Sequence, residues 1–400
     1  MTKVAVNPEI LRWARETAGL EVDVAAKKIA LGDLKDITAG DRLTAMEAGI
    51  ESPSRPLLVR MAKQYRRPLI TFYMENPPTK GDRGQDFRRL PPDHPIEPNA
   101  WLDTLVRDAL ARQSLVRSVL EDEDEAVDHP FVGSLSIDAG TKSFVDSISK
   151  ALQFDLDGFR TQKNVTEAFA WLRAKAEVAG IFVILRGDLG NYRTAIDLQT
   201  FRGFALADRI APFVVINDND ARSAWAFTLL HEITHLWLGQ TGVSGAHADI
   251  AVERFCNDVA GEMLLPQAEL QNLVFSEPRD FEVVVSEIGD FATTRRVSRS
   301  MVAYKLFRRQ RIGQELWVRL RDRFRADWIA MRDSQRKKNK ESGDNGPSYF
   351  VVRRHRVGDR LINLVERMMS AGAMSTTKAG IVLGVRPLNV HKLVRGKLAA

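Results

Sequence analysis

The residues of this chain best suited to chemistry lie in the segment "HEITHLWLGQ", His231 to Gln240. On an α-helix, side chains four residues apart project from one face, so His231 and His235 could bind a single metal ion together. Glu232 lies about 100° around such a helix, where it could take a proton from a water molecule without acting as a ligand. A bound cation lowers the pKa of water toward about 7, which makes that transfer feasible at neutral pH. The spacing therefore predicts a hydrolytic metal site, with zinc the expected ion and manganese the alternative.

A catalytic zinc ion needs a third protein ligand, because it usually has three and keeps one position open. The metzincin pattern, with a glycine and a third histidine after the motif, is excluded because Leu238 and Thr241 occupy those positions. The next predicted helix carries "VERFCNDVAGEMLLP", in which Glu253 follows His235 by 18 residues. Glu253 is therefore the expected third ligand, on a helix packed against the first.

Other residues near these two helices offer alternatives. His247, in the loop between the helices, is a second candidate for the third ligand. Asn257 shares a stripe with Glu253 and is expected to orient a ligand by hydrogen bonding. Cys256 is expected to be a small buried residue rather than a thiolate ligand. The residue that stabilises the transition-state oxyanion stays open between Tyr192, His247 and Arg222.

These side chains need a scaffold, which the surrounding sequence predicts to be a small sheet and two helices. Three apolar runs read as strands: "IFVIL" (181–185), "FRGFAL" (201–206) and "APFVVIN" (211–217). Helices are expected around 221–239 and 249–264. A metallopeptidase usually holds its substrate as an added strand on a sheet edge beside the metal helix. The predicted fold class is α+β and mostly helical, with a zincin-like peptidase core flanked by helical, helix-turn-helix-like domains.

The composition favours a folded protein of the cytoplasm. The chain has 400 residues, of which 44% are hydrophobic and 28% charged, so it can bury a sizeable core. It contains no apolar run near the roughly 18 residues that would span a bilayer, and its first residues do not read as a secretory signal. One cysteine permits no internal disulfide. The net charge of +6 and the pI near 9.4 leave two alternatives, contact with nucleic acid and an ordinary basic surface.

Composition and helical patterns divide the chain into four parts. These are a helix-turn-helix-like domain at 1–80, a linker and long helix at 81–148, a metallopeptidase domain with a helical extension at 149–335, and a helix-turn-helix-like domain at 349–400. The stretch 336–348, "RKKNKESGDNGPS", reads as a linker. The last domain is expected to begin with a strand, "YFVVRR".

The segment from "FRGFALADRIAPFVVIN" through "HEITH" to "VERFCNDVAGEMLLP" resembles the ImmA/IrrE family of zinc metallopeptidases, over about 165–270. Members with an N-terminal helix-turn-helix module of the Xre type are most similar. The resemblance implies that His231, His235 and Glu253 hold zinc and that Glu232 is the catalytic base. It also implies a cytoplasmic endopeptidase that cleaves a helix-turn-helix repressor or an antitoxin-like partner.

The first eighty residues are similar to an Xre-type module in "RLTAMEAGIESPSRPLLVRMAKQYRRPLITFY". They depart from it in "ALGDLKDITAG", which is longer than the tight turn of a DNA-reading helix pair. The helix that would enter the major groove offers only Arg42 and Thr44 for contact with bases. DNA binding and docking of a protein partner are therefore equal alternatives for this module.

The C-terminal domain also contains a compact helix pair around "STTKAGIVLGV", with Ser375 as an N-cap. Its residues Arg386, Asn389, His391 and Lys392 could face phosphates, although a packing role on the peptidase is the favoured interpretation. The two functions to distinguish are a zinc endopeptidase and a DNA-binding regulator or toxin–antitoxin component. In the second, the metal site would be structural or regulatory.

Overall fold

The computed structural model describes residues 6–77, 100–242, 250–273, 280–341 and 347–394. These residues form two compact units, the first with 6–77, 100–108 and 189–194, and the second with 109–188 and the described residues from 195 onward. The described chain is mostly helical and has one three-stranded sheet, which is the predicted fold class. None of its helices combines the length and the apolar character needed to cross a membrane.

The first unit contains a small bundle of helices. They are α1 (Pro8–Glu16), α2 (Val22–Lys28), α3 (Ala39–Glu47) and α4 (Arg55–Gln64), followed by a 3-10 turn at Leu69–Tyr73. Asn7, Thr38 and Ser54 start three of these helices, because their side chains accept backbone N–H groups of the first turn. The ten residues 29–38 separate α2 from α3, as the long predicted connection requires.

A buried ion pair fastens α1 to α3 in this bundle. The Arg15 guanidinium donates to both carboxylate oxygens of Glu47, at 2.7 and 2.9 Å. Both groups are buried, and a buried charge without a partner would destabilise the fold. Each of the two charges is therefore compensated by the other. The remaining core is apolar and is formed by Ile10, Leu11, Ala14, Ala25, Leu43, Met46, Leu58, Met61 and Phe72, among others.

The second unit holds the sheet and most of the helices. The long helix α5 (Ala100–Asp122) belongs to it from residue 109 onward. The other helices are α6 (Gly140–Leu152), α7 (Leu156–Arg160), α8 (Val165–Val178), α9 (Arg222–Trp237), α10 (Ile250–Leu264), α11 (Phe281–Thr294), α12 (Arg299–Arg308), α13 (Gln314–Glu341), α14 (Tyr349–Val357), α15 (Asp359–Ser370), α16 (Thr376–Leu383) and α17 (Pro387–Val394). The predicted helices around 221–239 and 249–264 correspond to α9 and α10.

The sheet has the order β1-β3-β2, in which β1 is Phe182–Leu185, β2 is Gly203–Leu206 and β3 is Phe213–Ile216. Strand β1 pairs with β3 in parallel, and β2 pairs with β3 antiparallel. All twelve strand residues are buried, which explains why these segments are continuous apolar runs instead of alternating ones. The three predicted strands are confirmed, and β2 is the edge strand on the side of α9.

Helix α9 is the central element of this core, since every residue from Thr228 to Trp237 is buried. It packs against β2, β3, α8 and α10. A helix enclosed on all sides is apolar around most of its surface, so its few polar residues need a specific role. These polar residues include His231, Glu232 and His235.

Lys305 of α12 fixes the end of α10. Its ammonium donates to the carbonyl oxygens of Gly261, at 2.9 Å, and Leu265, and it forms an ion pair with Glu262. These contacts satisfy carbonyl groups at the C-terminus of α10, where no intrahelical donor is available. Burial lowers the pKa of Lys305, and the Glu262 carboxylate opposes that effect.

Two predictions about the C-terminal region are wrong. The segment "YFVVRR" forms helix α14 and not a strand. The Ser348 side chain caps this helix. Arg353 and Val357 lie four residues apart on its buried side. Tertiary packing therefore overrides the strand propensity of the β-branched residues in this segment. The linker predicted for 336–348 is wrong for its first six residues, because α13 continues to Glu341.

Candidate metal centre

Three buried side chains converge where α9 and α10 pack together. His231 and His235 extend from adjacent turns of α9, and Glu253 extends from the first turn of α10. The Nε2 atoms of the two rings are 3.1 Å apart. The Glu253 carboxylate lies 3.5 Å from His231 Nε2 and 3.2 Å from His235 Nε2. The structure thus brings together the three residues that the sequence singled out as ligands.

These distances fit a tetrahedral cation. Ligand bonds of about 2.1 Å at tetrahedral angles separate neighbouring donor atoms by about 3.4 Å. The two Nε2 atoms, 3.1 Å apart, are close to that separation. His231 Nε2 lies 3.5 Å from Glu253 Oε2 and His235 Nε2 lies 3.2 Å from Glu253 Oε1, so each ring has a different carboxylate oxygen near that separation. Two imidazoles and one carboxylate form the donor set of catalytic zinc sites, and three donors leave a fourth position open.

The outer nitrogen of each imidazole also has an acceptor. Nδ1 of His231 lies 3.0 Å from Asn257 Oδ1, and Nδ1 of His235 lies 3.4 Å from Gln240 Oε1. When Nδ1 carries the proton and donates to these oxygens, the lone pair is on Nε2, which faces the centre of the triangle. Such partners fix the tautomer and the orientation of metal-ligating histidines.

Cys256 lies on the outer side of this arrangement. Its sulfur is 3.7 Å from His235 Nδ1 and its side chain is fully buried. Because it contacts the nitrogen that faces away from the triangle, it is a packing neighbour and not a fourth donor. It is the small buried residue that the sequence analysis expected.

Glu232 lies against the edge strand. A Cβ atom placed on Gly203, the first residue of β2, would be 2.9 Å from Glu232 Oε1 and 3.1 Å from Glu232 Cγ. It would also be 2.9 Å from Thr228 Cγ2. Only glycine leaves room for the Glu232 carboxylate at this position, directly after His231 on α9 and beside the sheet edge.

The outer edge of β2 is partly used by the chain itself. The N–H of Asn217 donates to the carbonyl of Arg202, which turns the backbone groups of residues 203 and 205 away from β3. The carbonyl of Ala205 accepts from the N–H of Gly242, at 2.8 Å. Within the described residues, Thr241 and Gly242 therefore border the far half of this edge and leave the Gly203 half next to Glu232.

Among the described residues, the structure does not place the other candidate residues at the metal centre. Arg222 is the first residue of α9, nine residues before His231, and its guanidinium lies 3.5 Å from Thr166 Oγ1. Tyr192 begins a short 3-10 helix, and its side chain lies outside the described parts. His247 lies outside the described residues altogether. The oxyanion partner therefore stays a prediction.

The two candidate base-reading residues of the first unit make internal contacts. The Arg42 guanidinium donates to the carbonyl of Gly32 at 2.7 Å and to the Glu51 carboxylate at 2.8 Å. The Thr44 hydroxyl donates to the carbonyl of Gly40 at 3.0 Å. DNA contact through these two residues stays a prediction.

Two residues of the site were missed from the sequence. Gln240 follows the end of α9, and its position five residues after His235 was the available signal. Gly203 stands inside an apolar strand, and a glycine at such a position often marks a close approach by another group. The roles of both residues depend on contacts between separate secondary-structure elements, and the local sequence pattern does not predict such contacts.

The comparison with family models gives one match. Residues 176–307 match the family described as the IrrE N-terminal-like domain, Peptidase_M78. This segment includes all three strands from β1 to β3, both helices of the metal centre and nearly all of α12. Neither the curated proteins nor the solved structures gave a match. The part of the chain that carries the His231, His235 and Glu253 cluster is thus similar to a peptidase domain family.

Proposed function

We propose that this chain is a zinc-dependent endopeptidase that cleaves a protein partner. The observation that carries the proposal is the buried cluster of His231, His235 and Glu253, in a segment that matches a peptidase family model. The buried Glu232 follows His231 directly on the same helix. Burying two imidazoles and a carboxylate together is costly unless a cation or a proton compensates for the charge.

The metal would be held by Nε2 of His231, Nε2 of His235 and the carboxylate of Glu253. When bound, a zinc ion supplies an electrophile for the substrate carbonyl and lowers the pKa of water. Asn257 and Gln240 hold the two rings with Nε2 directed inward. Manganese is the alternative ion, although imidazole-rich sites with few ligands favour zinc.

Glu232 is the proposed general base and acid. Its carboxylate takes a proton from the attacking water while the water oxygen bonds to the carbonyl carbon of the substrate. The peptide C–N bond then breaks, and Glu232 returns the proton to the departing amine nitrogen. Gly203 makes this role feasible, because it leaves space for the carboxylate next to the edge strand.

The substrate would bind as an added strand along β2. The backbone of residue 203 faces outward from the sheet at the end of β2 nearest Glu232. A peptide paired there presents its main chain to the metal ligands. Binding through backbone groups suits an extended segment of a protein and gives little selectivity by itself.

A helix-turn-helix repressor or an antitoxin-like protein is the proposed partner, on the basis of the family resemblance. We assign the docking of that partner to the first unit. Arg42 is bonded to Glu51 and to Gly32, and residues 6–77 carry eleven basic and ten acidic side chains. A nearly neutral bundle fits a protein partner better than DNA. A chain with one cysteine suits a reducing compartment such as the cytoplasm.

The test uses the zinc-loaded full chain and a mixture of peptides of known sequence, with products identified by mass spectrometry. Glu232→Gln should abolish cleavage while the bound zinc stays at one ion per chain. Glu253→Gln should lower both zinc affinity and cleavage. Asp258→Asn is the control, since it removes an exposed carboxylate from the same helix, α10. Undiminished cleavage by Glu232→Gln would overturn the proposal.

A further inference from the structure

The positive charge of the chain is concentrated at its C-terminal end. Residues 349–400 contain ten lysines and arginines against two acidic residues, Asp359 and Glu366, which gives a formal charge of +8. The whole chain carries only +6. No acidic residue follows Glu366. A domain with this charge attracts a polyanion, whereas the rest of the chain is slightly negative.

Helices α16 and α17 have the short, glycine-containing connection that is typical of a helix-turn-helix pair. Three residues connect them, and the first, Gly384, has a φ of 64°, in the left-handed region that glycine favours. The N–H of Val385 donates to the carbonyl of Gly380 at 2.9 Å, which ends α16 in a tight turn. A Cβ at Gly380 would lie 2.9 Å from the carbonyl oxygen of Val385, so a small residue is needed where the turn crosses α16.

Buried contacts hold this pair on the second unit. The Arg353 guanidinium donates to the carbonyls of Leu383 and Gly384, at the end of α16. Arg356 forms ion pairs with Asp188 at 3.0 Å and with Asp218 at 2.6 Å. Arg353 and Arg356 are therefore used in contacts within the protein, and they fix the pair to the unit that carries the metal ligands.

The basic residues of α16, of α17 and of the connection between them are different, because they face solvent. Lys378, Arg386 and Lys392 are all exposed, and none of them meets a carboxylate among the described residues. His391 is also exposed, and Leu388 is 88% exposed. The opposite side of α17 is buried through Val390, Leu393 and Val394. Helix α17 thus presents a polar and basic face in the place where a recognition helix presents its base-reading side chains.

We propose that α16 and α17 bind double-stranded DNA, with α17 in the major groove and Lys378, Arg386 and Lys392 on phosphates. Leu388 and Asn389 would then face base edges, where an apolar side chain suits a thymine methyl and an amide suits adenine. Because this pair is fixed to the second unit, binding would bring the metal centre to proteins held on the same DNA. DNA binding itself does not depend on the proposed peptidase activity.

The test measures binding of the full chain to a fluorescein-labelled 30-base-pair duplex of mixed sequence by anisotropy, from 0.05 to 0.3 M salt. Each phosphate contact contributes about −0.9 to the slope of log affinity against log salt. Arg386→Ala with Lys392→Ala should therefore lower the affinity about 60-fold at 0.1 M salt and make the slope less steep by about 1.8. Lys392→Ala alone should change the slope by about 0.9.

The matched control is Lys142→Ala with Lys150→Ala, which removes two exposed lysines from α6. It should bind within about twofold of the unaltered chain, because only specific phosphate contacts change the slope. All four side chains are exposed, so the thermal unfolding temperature should be the same for both double variants. The proposal is overturned by no duplex binding at 0.05 M salt, by equal losses in the two double variants, or by tighter binding to a single strand of the same sequence.

Discussion

Gly203→Ala tests the positioning of Glu232 without touching a metal ligand. The added Cβ would lie 2.9 Å from Glu232 Oε1, whereas ordinary van der Waals contact begins at 3.4 Å. The carboxylate must therefore retreat by about 0.5 Å. A displacement of about 1 Å in a reacting group costs about 100-fold in rate, so we expect kcat to fall about 10- to 100-fold.

The same geometry predicts which parameters stay unchanged. The φ of Gly203 is outside the left-handed region and the residue lies in a strand, so the backbone tolerates alanine there. The new methyl group points toward α9 and not toward the outer edge of β2. We therefore expect KM and zinc content to stay close to those of the unaltered chain. The unfolding temperature should fall, because the added Cβ also lies 2.9 Å from Cγ2 of the buried Thr228. Steady-state kinetics on a peptide identified from the mixture measures the split between kcat and KM.

Gly261→Ala is the matched control. A Cβ at that position on α10 would meet nothing closer than Lys305, at 3.6 Å, which is an ordinary contact. Its kcat should stay within about twofold, since no reacting group has to move. A Gly203→Ala protein with unaltered kcat would refute the assignment of Glu232 to this position, and so would a protein that lost its zinc before it lost activity.

Three further predictions concern the supporting contacts. Asn257→Ala removes the acceptor for His231 Nδ1–H, and a chelator titration should show zinc affinity about 10- to 100-fold lower. Lys305→Met removes the donor that caps α10 and should lower the free energy of unfolding in urea by about 1–3 kcal/mol. Partial desolvation and the nearby Arg173 lower the pKa of the exposed His355, so the unfolded chain takes up this proton first as pH falls. The metal-free protein should therefore lose stability below about pH 6.5, less steeply in His355→Gln.

Each of these predictions has an opposing result. Unchanged zinc affinity in Asn257→Ala would mean that the hydrogen bond does not orient the His231 ring. Stability of Lys305→Met equal to that of the unaltered chain would show that solvent satisfies the carbonyls at the end of α10. For the third, the slope of unfolding free energy against pH is compared between pH 6.5 and 5. Identical slopes for His355→Gln and the unaltered chain would contradict the lowered pKa.

The ligand triad could be predicted because it is mostly local. The four-residue spacing of His231 and His235 fixes their common face once a helix is assumed. Glu253 needed one more step, the antiparallel packing of the next helix, and the turn residues between the helices indicate that. The three strands were recognisable as short apolar runs bounded by polar residues.

The arrangement between elements could not be read from the sequence. The sheet order puts β3 in the centre and β2 at the edge, although β3 is the strand nearer to α9 along the chain. Apolar runs buried on both faces look alike whether they are central or at an edge. The contact of Gly203 with Glu232 depends on that strand order, so it could not be predicted from the sequence either.

The errors at the C-terminus also have a physical origin. The segment that forms α14 begins with aromatic and β-branched residues, which favour strands. Its helical state depends on the Ser348 cap and on burial of Arg353 against the end of α16. Helix α13 extends to Glu341 through residues whose charges and polarity resembled a linker, although lysine, arginine and glutamate are good helix formers.

The most direct measurement is an anomalous difference map at the zinc edge, from crystals of the zinc-loaded full chain. The predicted result is one peak within about 2.0–2.2 Å of His231 Nε2, His235 Nε2 and a Glu253 oxygen. A zinc peak bound elsewhere, or a Glu253 carboxylate turned away from both rings, would contradict the account.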